Sequence, residues 1–287
     1  MSRVTVVTDT THSMPAATLE RAGVQQVSLY VNHGTQTQRE AEVDLDAFYE
    51  LLRSDPKLPT TSQPSIGDFL AVYEPLLDAG QDIVSVHLSG AMSGTLETAR
   101  QAAADALVTR PDRRVELIDS RSVAGGLGLI VLAAAAGARV GEDVDTVAGR
   151  TRDAVRDTRI WFAVDTLEFM RKGGRIGAAQ AWVGGALKIK PILTIDGEVE
   201  PIERVRTSGR AFTRLVNAMH ERAADGAGCW LVQHIQAPEE AERLVAEGRR
   251  IFGREPEFVS EVGPVVGTYA GPGLLGVAGL PPALLGR

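Results

Sequence analysis

Asp82-Ile-Val-Ser-Val-His-Leu-Ser-Gly-Ala-Met-Ser-Gly-Thr95 is the stretch that decides how the chain is organised. Ile83, Val84 and Val86 form a short β-branched run, two glycines and two serines follow at once, and helical spacing begins at Leu96. This reads as strand, tight turn, helix. The first N–H groups of a helix have no intrahelical partner and carry partial positive charge, so such a turn favours an anion. Ser89 and Ser93 add hydroxyl donors, while Gly90 and Gly94 permit close approach to the backbone. The same residues also suit a plain helix cap and a tight turn, and the stretch alone does not separate the two readings.

The pattern recurs on both sides. Arg3–Thr8 is a β-branched run ending in Thr8-Asp9-Thr10-Thr11, followed by a short helix over Pro15–Ala22. Gln26–Val31 reads as a second strand, and Asp44–Arg53 and Ser65–Ala79 as amphipathic helices. Between those helices lies Pro59-Thr-Thr-Ser-Gln-Pro-Ser65, a segment stiffened by two prolines and rich in hydroxyls. Arg114–Ile118, then Asp119-Ser-Arg-Ser122, then an apolar helix over Ala124–Arg139 repeat the unit again. Strands alternating with helices imply a parallel sheet with helices on both faces, and ligands of such sheets lie beyond the carboxyl ends of the strands. Asp9, Ser89, Ser93, Asp119 and Ser122 are expected to gather there. A dinucleotide site is rejected, since Gly126-Leu-Gly128 lacks the third glycine and lies inside a helical pattern.

A change of style follows the helix predicted over Gly141–Asp157, placing a domain boundary that divides the chain into 1–155 and 156–287. Strands are expected at Ile160–Val164, Pro191–Ile195, Glu198–Val205, Cys229–Ile235, Pro256–Val259 and Val265–Tyr269, with a hairpin turn at Asp196-Gly197. Helices over Ser208–Ala224 and Pro238–Phe252 complete a second α/β unit with a mixed sheet. Arg171-Lys-Gly-Gly-Arg-Ile176 gathers three basic groups around two glycines, suiting either a helix end or a phosphate or carboxylate. Gly263-Pro-Val-Val-Gly-Thr-Tyr-Ala-Gly-Pro-Gly273 reads as a rigid turn between strands.

Composition narrows the function. The chain has 287 residues, 44% hydrophobic and 23% charged, enough for about two domains with a large core. A net charge of -7 argues against a nucleic-acid surface. The single cysteine, Cys229, excludes an internal disulfide framework and fits a reducing compartment. Met-Ser-Arg-Val-Thr-Val-Val enters a strand pattern without the apolar run of a signal peptide, and Ala124–Ala138 is shorter than the roughly 20 residues that span a bilayer, so a cytoplasmic protein without membrane insertion is expected. The five histidines show no metal-ligand spacing, and no nucleophile elbow, Gly-Lys-Ser/Thr loop or His-Glu-x-x-His occurs. Hydroxyls and arginines dominate, which points to holding an anion. No metal or cofactor is expected. An enzyme acting alone as a phosphotransferase or hydrolase, with Asp9 or Asp119 beside the serines, is the competing class.

The ordered set of Thr8-Asp-Thr10, Thr61-Ser-Gln-Pro-Ser65, Ser89-Gly-Ala-Met-Ser-Gly-Thr95, Asp119-Ser120, Lys172-Gly-Gly-Arg-Ile176, Leu187-Lys-Ile-Lys-Pro-Ile-Leu193 and Gly263-Pro-Val-Val-Gly…Gly271-Pro-Gly273 resembles the DegV family of bacterial fatty-acid-binding proteins, over essentially the whole chain. The resemblance implies a two-domain α/β fold with a long-chain fatty acid such as palmitate between the domains. Its carboxyl is expected among Thr61, Ser62, Ser93, Gly94 and Tyr269. It further implies a separate ATP-dependent fatty acid kinase as partner, which phosphorylates the bound carboxyl to acyl phosphate for phospholipid metabolism, with Arg175 and Arg206 supporting that step. The chain itself is then a lipid-binding subunit and not an enzyme. The family usually carries histidine where this chain has Tyr269. An unperturbed tyrosine, with a pKa near 10, exchanges protons poorly at neutral pH, which keeps open a carrier or sensor detached from any kinase.

Overall fold

The computed structural model describes residues 3–55, 57–183 and 189–287. Its amino-terminal half supplies β1 (Val4–Asp9), α1 (Ala16–Ala22), β2 (Gln25–Val27), β3 (Tyr30–His33), β4 (Gln36–Arg39), α2 (Leu45–Ser54), β5 (Thr60–Ser62), α3 (Ile66–Asp78), β6 (Asp82–His87), α4 (Thr95–Leu107), β7 (Val115–Asp119), α5 (Ala124–Arg139) and α6 (Val144–Asp157). β2-β1-β6-β7 form a four-stranded sheet in which every pairing is parallel. Its central strands, β1 and β6, are buried on both faces, and their side chains alternate: Ile83 joins Phe69 and Tyr73 of α3 and the alanines of α4, while Val84 and Val86 join α5. Ser65 starts α3 with a reciprocal capping box to Asp68.

The carboxyl-terminal half supplies β8 (Arg159–Ala163), α7 (Glu168–Gly173), β9 (Lys190–Asp196), β10 (Glu198–Val205), α8 (Ser208–Ala224), β11 (Cys229–His234), α9 (Pro238–Phe252), β12 (Val259–Glu261), α10 (Pro264–Ala270) and β13 (Leu275–Leu280). A six-stranded mixed sheet runs β10-β9-β8-β13-β11-β12, antiparallel except for β11 with β12. α8 and α9 cover one face around Trp230. The other face rests on α5, which also packs on β1 and β6, so this helix fills the space between the two large sheets. A helix apolar on every side belongs in such a place. Its glycines let the sheets close in, since a Cβ at Gly128 would come within 2.9 Å of the Phe258 ring. Among the described residues no helix is long and apolar enough to cross a membrane.

Three expectations are corrected, and two elements were not expected. The run Gln26–Val31 is two strands in different sheets: at Ser28-Leu29 the chain leaves the ladder, and the Leu29 N–H donates to Thr10 Oγ1 at 3.1 Å. β3 then pairs with β4 and β5 in a small antiparallel sheet that the polar composition of those strands concealed. Val265–Tyr269 is helical despite its β-branched start, because Pro264 occupies the first turn after the Gly263 cap and the Glu40 carboxylate accepts from the Val265 N–H at 3.0 Å. The last strand lies instead at Leu275–Leu280, where two glycines interrupt the apolar pattern. Strand structure near Pro256–Val259 begins only at Val259. Leu187 and Lys188 of the Leu-Lys-Ile-Lys-Pro-Ile-Leu motif lie outside the described residues; from Lys190 on, the motif forms β9.

Candidate functional site

A cavity of ≈ 420 Å³ opens between the two large sheets and the small one. Its inner wall is mostly apolar, with Leu88 and Val123 from the parallel-sheet half, Ile160, Phe162 and Leu274 from the mixed-sheet half, and Leu29 from the crossing between sheets, broken only by Thr11 and Gln233 among the described polar residues. All of these are buried. The polar lining residues that reach solvent are concentrated at one end: Thr61, Ser62, Gln63, Ser93, Gly94, Arg175 and Tyr269 are half-buried or exposed. This end is the mouth.

Four separate pieces of chain build it. β5, an edge strand of the small sheet, presents Thr61, whose Oγ1 shares a 2.6 Å hydrogen bond with the Tyr269 hydroxyl on α10. The turn from β6 to α4 presents Ser93, whose Oγ lies 2.9 Å from Thr95 Oγ1 and accepts from the Thr95 N–H at 3.3 Å. The cap residue of α4, Gly94, has no side chain with which to cap the helix. Gln63 covers that glycine, donating to Thr98 Oγ1 at 2.7 Å, and a Cβ at position 94 would collide with its amide oxygen. The end of α7 supplies Arg175, whose guanidinium stands over the Tyr269 ring at 5.0 Å and donates to the Gly173 carbonyl at 2.8 Å. Hydroxyls and a helix start at a single opening, with one arginine beside them, can hold a carboxylate, while the mostly apolar wall behind them suits an alkyl chain.

The two glycines of the basic turn have structural duties. Gly174 ends α7 in the left-handed conformation, φ 75°, and a Cβ at Gly173 would collide with the Tyr269 ring. The three basic groups also diverge, because Arg171 and Lys172 pair with Glu168 and only Arg175 turns to the cavity. Arg206 lies apart from the mouth, in a separate depression beside Trp182 and the Lys190–Asp165 ion pair.

Of the five residues expected at the strand ends, only Ser93 lines the cavity. Ser89 donates to the Gly197 carbonyl at 2.5 Å, tying the first sheet to the β9–β10 hairpin. Asp119 accepts from the N–H groups of Arg121 at 2.8 Å and Gly90 at 3.3 Å. Asp9 is wholly buried and accepts from the Thr11 N–H and hydroxyl, from the Leu88 N–H at 2.9 Å, and shares a 3.0 Å contact with His87 Nδ1. Burial alone would raise its pKa, but His87, Thr11 and Leu88 together hold it below the ordinary carboxylate value. Beyond the imidazole the network continues through Ser85 Oγ at 2.7 Å to the Tyr73 hydroxyl at 2.7 Å. Asp, His and Ser are thus aligned as in a hydrolase triad, yet all are 0% exposed and Phe69 packs edge-on against the imidazole. No substrate reaches this serine, and the alignment is internal scaffolding.

Gln63 and Met92 line the cavity but were not expected there. Both lie inside the motifs that carried the expectation, so position within those motifs was the available signal. Glu40 has no such signal, although its buried carboxylate positions the helix bearing Tyr269.

Residues 3–281 match the model of the DegV family, described as "Uncharacterised protein, DegV family". A DegV domain-containing protein of Streptomyces coelicolor is 40% identical over 96% of this chain and 98% of its own length. The solved structure of a DegV family protein from Thermus thermophilus, described by its fatty acid binding, superposes with a TM-score of 0.86 at 32% identity, covering 97% of this chain and 99% of that one. DegV of Bacillus subtilis, described as a fatty acid binding protein, gives a TM-score of 0.86 at 32% identity over 98% of this chain and 100% of its own. With its parallel sheet, its second mixed sheet and the cavity between them, the chain belongs to the DegV family.

Proposed function

We propose that the protein binds one long-chain fatty acid such as palmitate, with the alkyl tail in the cavity and the carboxylate at the mouth among Thr61, Ser62, Ser93, Gly94 and Tyr269. The observation that carries this reading is the segregation of the lining, with mostly apolar side chains within and the hydroxyl cluster at the solvent end. Each buried methylene contributes about 0.8 kcal/mol, so a tail of about 15 contributes on the order of 12 kcal/mol before association costs. A ligand held this way survives purification. Mass spectrometry of denatured protein, purified from cells, is expected to find stoichiometric fatty acid; lipid-free preparations obtained repeatedly would overturn the reading.

The same arrangement leaves the carboxyl end accessible, and presentation to a separate ATP-dependent fatty acid kinase for acyl phosphate formation in the cytoplasm is the second half of the proposal. Arg175, held at the mouth by Tyr269 and the Gly173 carbonyl, is the residue for that step. Arg206, in its own depression, is assigned to the kinase-facing surface. One observation favours a carrier or sensor without a kinase: position 269 holds a tyrosine already engaged with Thr61, in place of a group that exchanges protons near neutrality.

A further inference from the structure

The cavity wall has a second polar place, away from the residues of the mouth. Gln233 on β11 lines the cavity and is 2% exposed. Its amide nitrogen faces the carbonyls of His12 and Ser13, each at 3.4 Å, and Ser260 Oγ at 3.0 Å. Two carbonyl oxygens on one side fix which end of the amide is the nitrogen. The amide oxygen is therefore turned the other way, toward the start of α5, where a Cβ on Gly125 would stand 2.9 Å from it. Among the described residues nothing donates to that oxygen.

The start of α5 also lacks a side-chain cap from its cap residue, Val123. Val123 and Ala124 line the same cavity, and the first turn of the helix is buried. The Ser122 hydroxyl, 5% exposed and packed against Gly126, has no partner among the described residues. Thr11 also lines the cavity, and its hydroxyl proton is committed to Asp9 at 2.5 Å, leaving only acceptor capacity.

We propose that this place is a subsite for a hydroxyl group carried on the acyl chain, which makes the protein selective for monohydroxylated fatty acids. The inference rests on the fatty-acid reading above. A methylene here leaves a buried acceptor and buried N–H donors unpaired, and a carboxylate would face the lone pairs of the Gln233 oxygen. A hydroxyl both donates to Gln233 and accepts from the helix start. A site built to bond a hydroxyl discriminates strongly against the analogue that lacks it.

The test uses delipidated full-length protein and a series of hexadecanoic acids, each with one hydroxyl at a successive carbon, competed against hexadecanoic acid itself. One isomer, or two adjacent ones, is expected to bind about tenfold tighter than both the parent and the other isomers. In Gln233→Leu the ratio of that isomer to the parent is expected to fall about tenfold. Uniform weakening at every position, as for a niche that holds only water, overturns the proposal, as does a ratio unmoved in the variant. If Gln233→Leu does not fold, the positional series on wild type decides alone. Failure to bind any of the acids overturns the carrier reading, which separates that failure from a mere lack of hydroxyl preference.

Discussion

Thr61 and Tyr269, 208 positions apart in sequence, share a 2.6 Å hydrogen bond across the cavity mouth. The bond joins an edge strand of the small sheet to α10, and both residues line the cavity. Two hydroxyls in one bond leave one hydrogen free to turn to a carboxylate oxygen. Tyr269→Phe is expected to weaken fatty-acid binding by about 1.5–3 kcal/mol, the range for a hydrogen bond to a charged group. Titration of delipidated protein with palmitate measures it. Affinity equal to wild type would place the carboxylate elsewhere.

Ser93→Ala tests the other wall of the mouth. The Ser93 hydroxyl is half-buried and its local partners are Thr95 Oγ1 and N–H. The same loss of about 1.5–3 kcal/mol is expected, smaller than the contribution of the tail, so purified variant still carries some lipid but releases it faster. An unchanged off-rate would remove Ser93 from the carboxylate set.

Arg175→Ala separates holding the acid from passing it on. Arg175 is exposed, stacked on Tyr269 and bonded to backbone carbonyls, so its loss leaves the tail's environment intact. The variant is expected to purify with lipid yet fail to form acyl phosphate with the organism's own fatty acid kinase, ATP and magnesium, where wild type succeeds. Tyr269→His in the same assay is expected to match or exceed wild type. Wild type that carries lipid but becomes active only as Tyr269→His would identify a carrier detached from the kinase.

The parallel sheet was legible because buried parallel strands are continuous β-branched runs, and Val4–Asp9 and Asp82–His87 differ from expectation by a residue or two. The mouth was legible only through whole motifs: Thr61, Ser62, Ser93, Gly94, Arg175 and Tyr269 converge, yet no local pattern distinguishes Ser93 from Ser89, which is spent on the β9–β10 hairpin. The small sheet was illegible since Gln36–Arg39 is polar throughout and exposed, leaving no periodicity to detect. α10 was misread because its helicity depends on a cap from Glu40, 225 positions away. Propensity cannot register a partner so distant.

Gly173→Ala addresses the basic turn from its structural side. The added methyl would meet the Tyr269 ring, so either the ring or the end of α7 must shift. Overpacking of this kind costs typically 1–3 kcal/mol, and a displaced Tyr269 also loses Thr61. Denaturant unfolding together with palmitate titration is expected to show both losses. Stability and affinity at wild-type levels would mean that Tyr269 has a second accommodated position.

Glu40 governs how stability depends on pH. It is 5% exposed, accepts from the Thr10 hydroxyl and the Val265 N–H, and lies near Asp9; burial, reinforced by the Asp9 charge and opposed by those two hydrogen bonds, pushes its pKa from 4.5 to about 7. Between those values the folded chain keeps a proton that the unfolded chain has released. Stability contributed by Glu40 is therefore fully present below 4.5, declines as pH rises through the window, and levels off above about 7. The integrated loss is on the order of 3 kcal/mol. Glu40→Gln removes the titration and keeps an acceptor for Val265, while its amide donates to Thr10 in the reversed sense. Because other groups titrate too, the informative quantity is the difference between the two proteins, from urea unfolding at pH 5 and pH 8. The variant is expected to gain on wild type by roughly 2–3 kcal/mol between those pH values. Parallel pH profiles would show that the Glu40 carboxylate is ionised across the whole range and that the cap on α10 is a charged one.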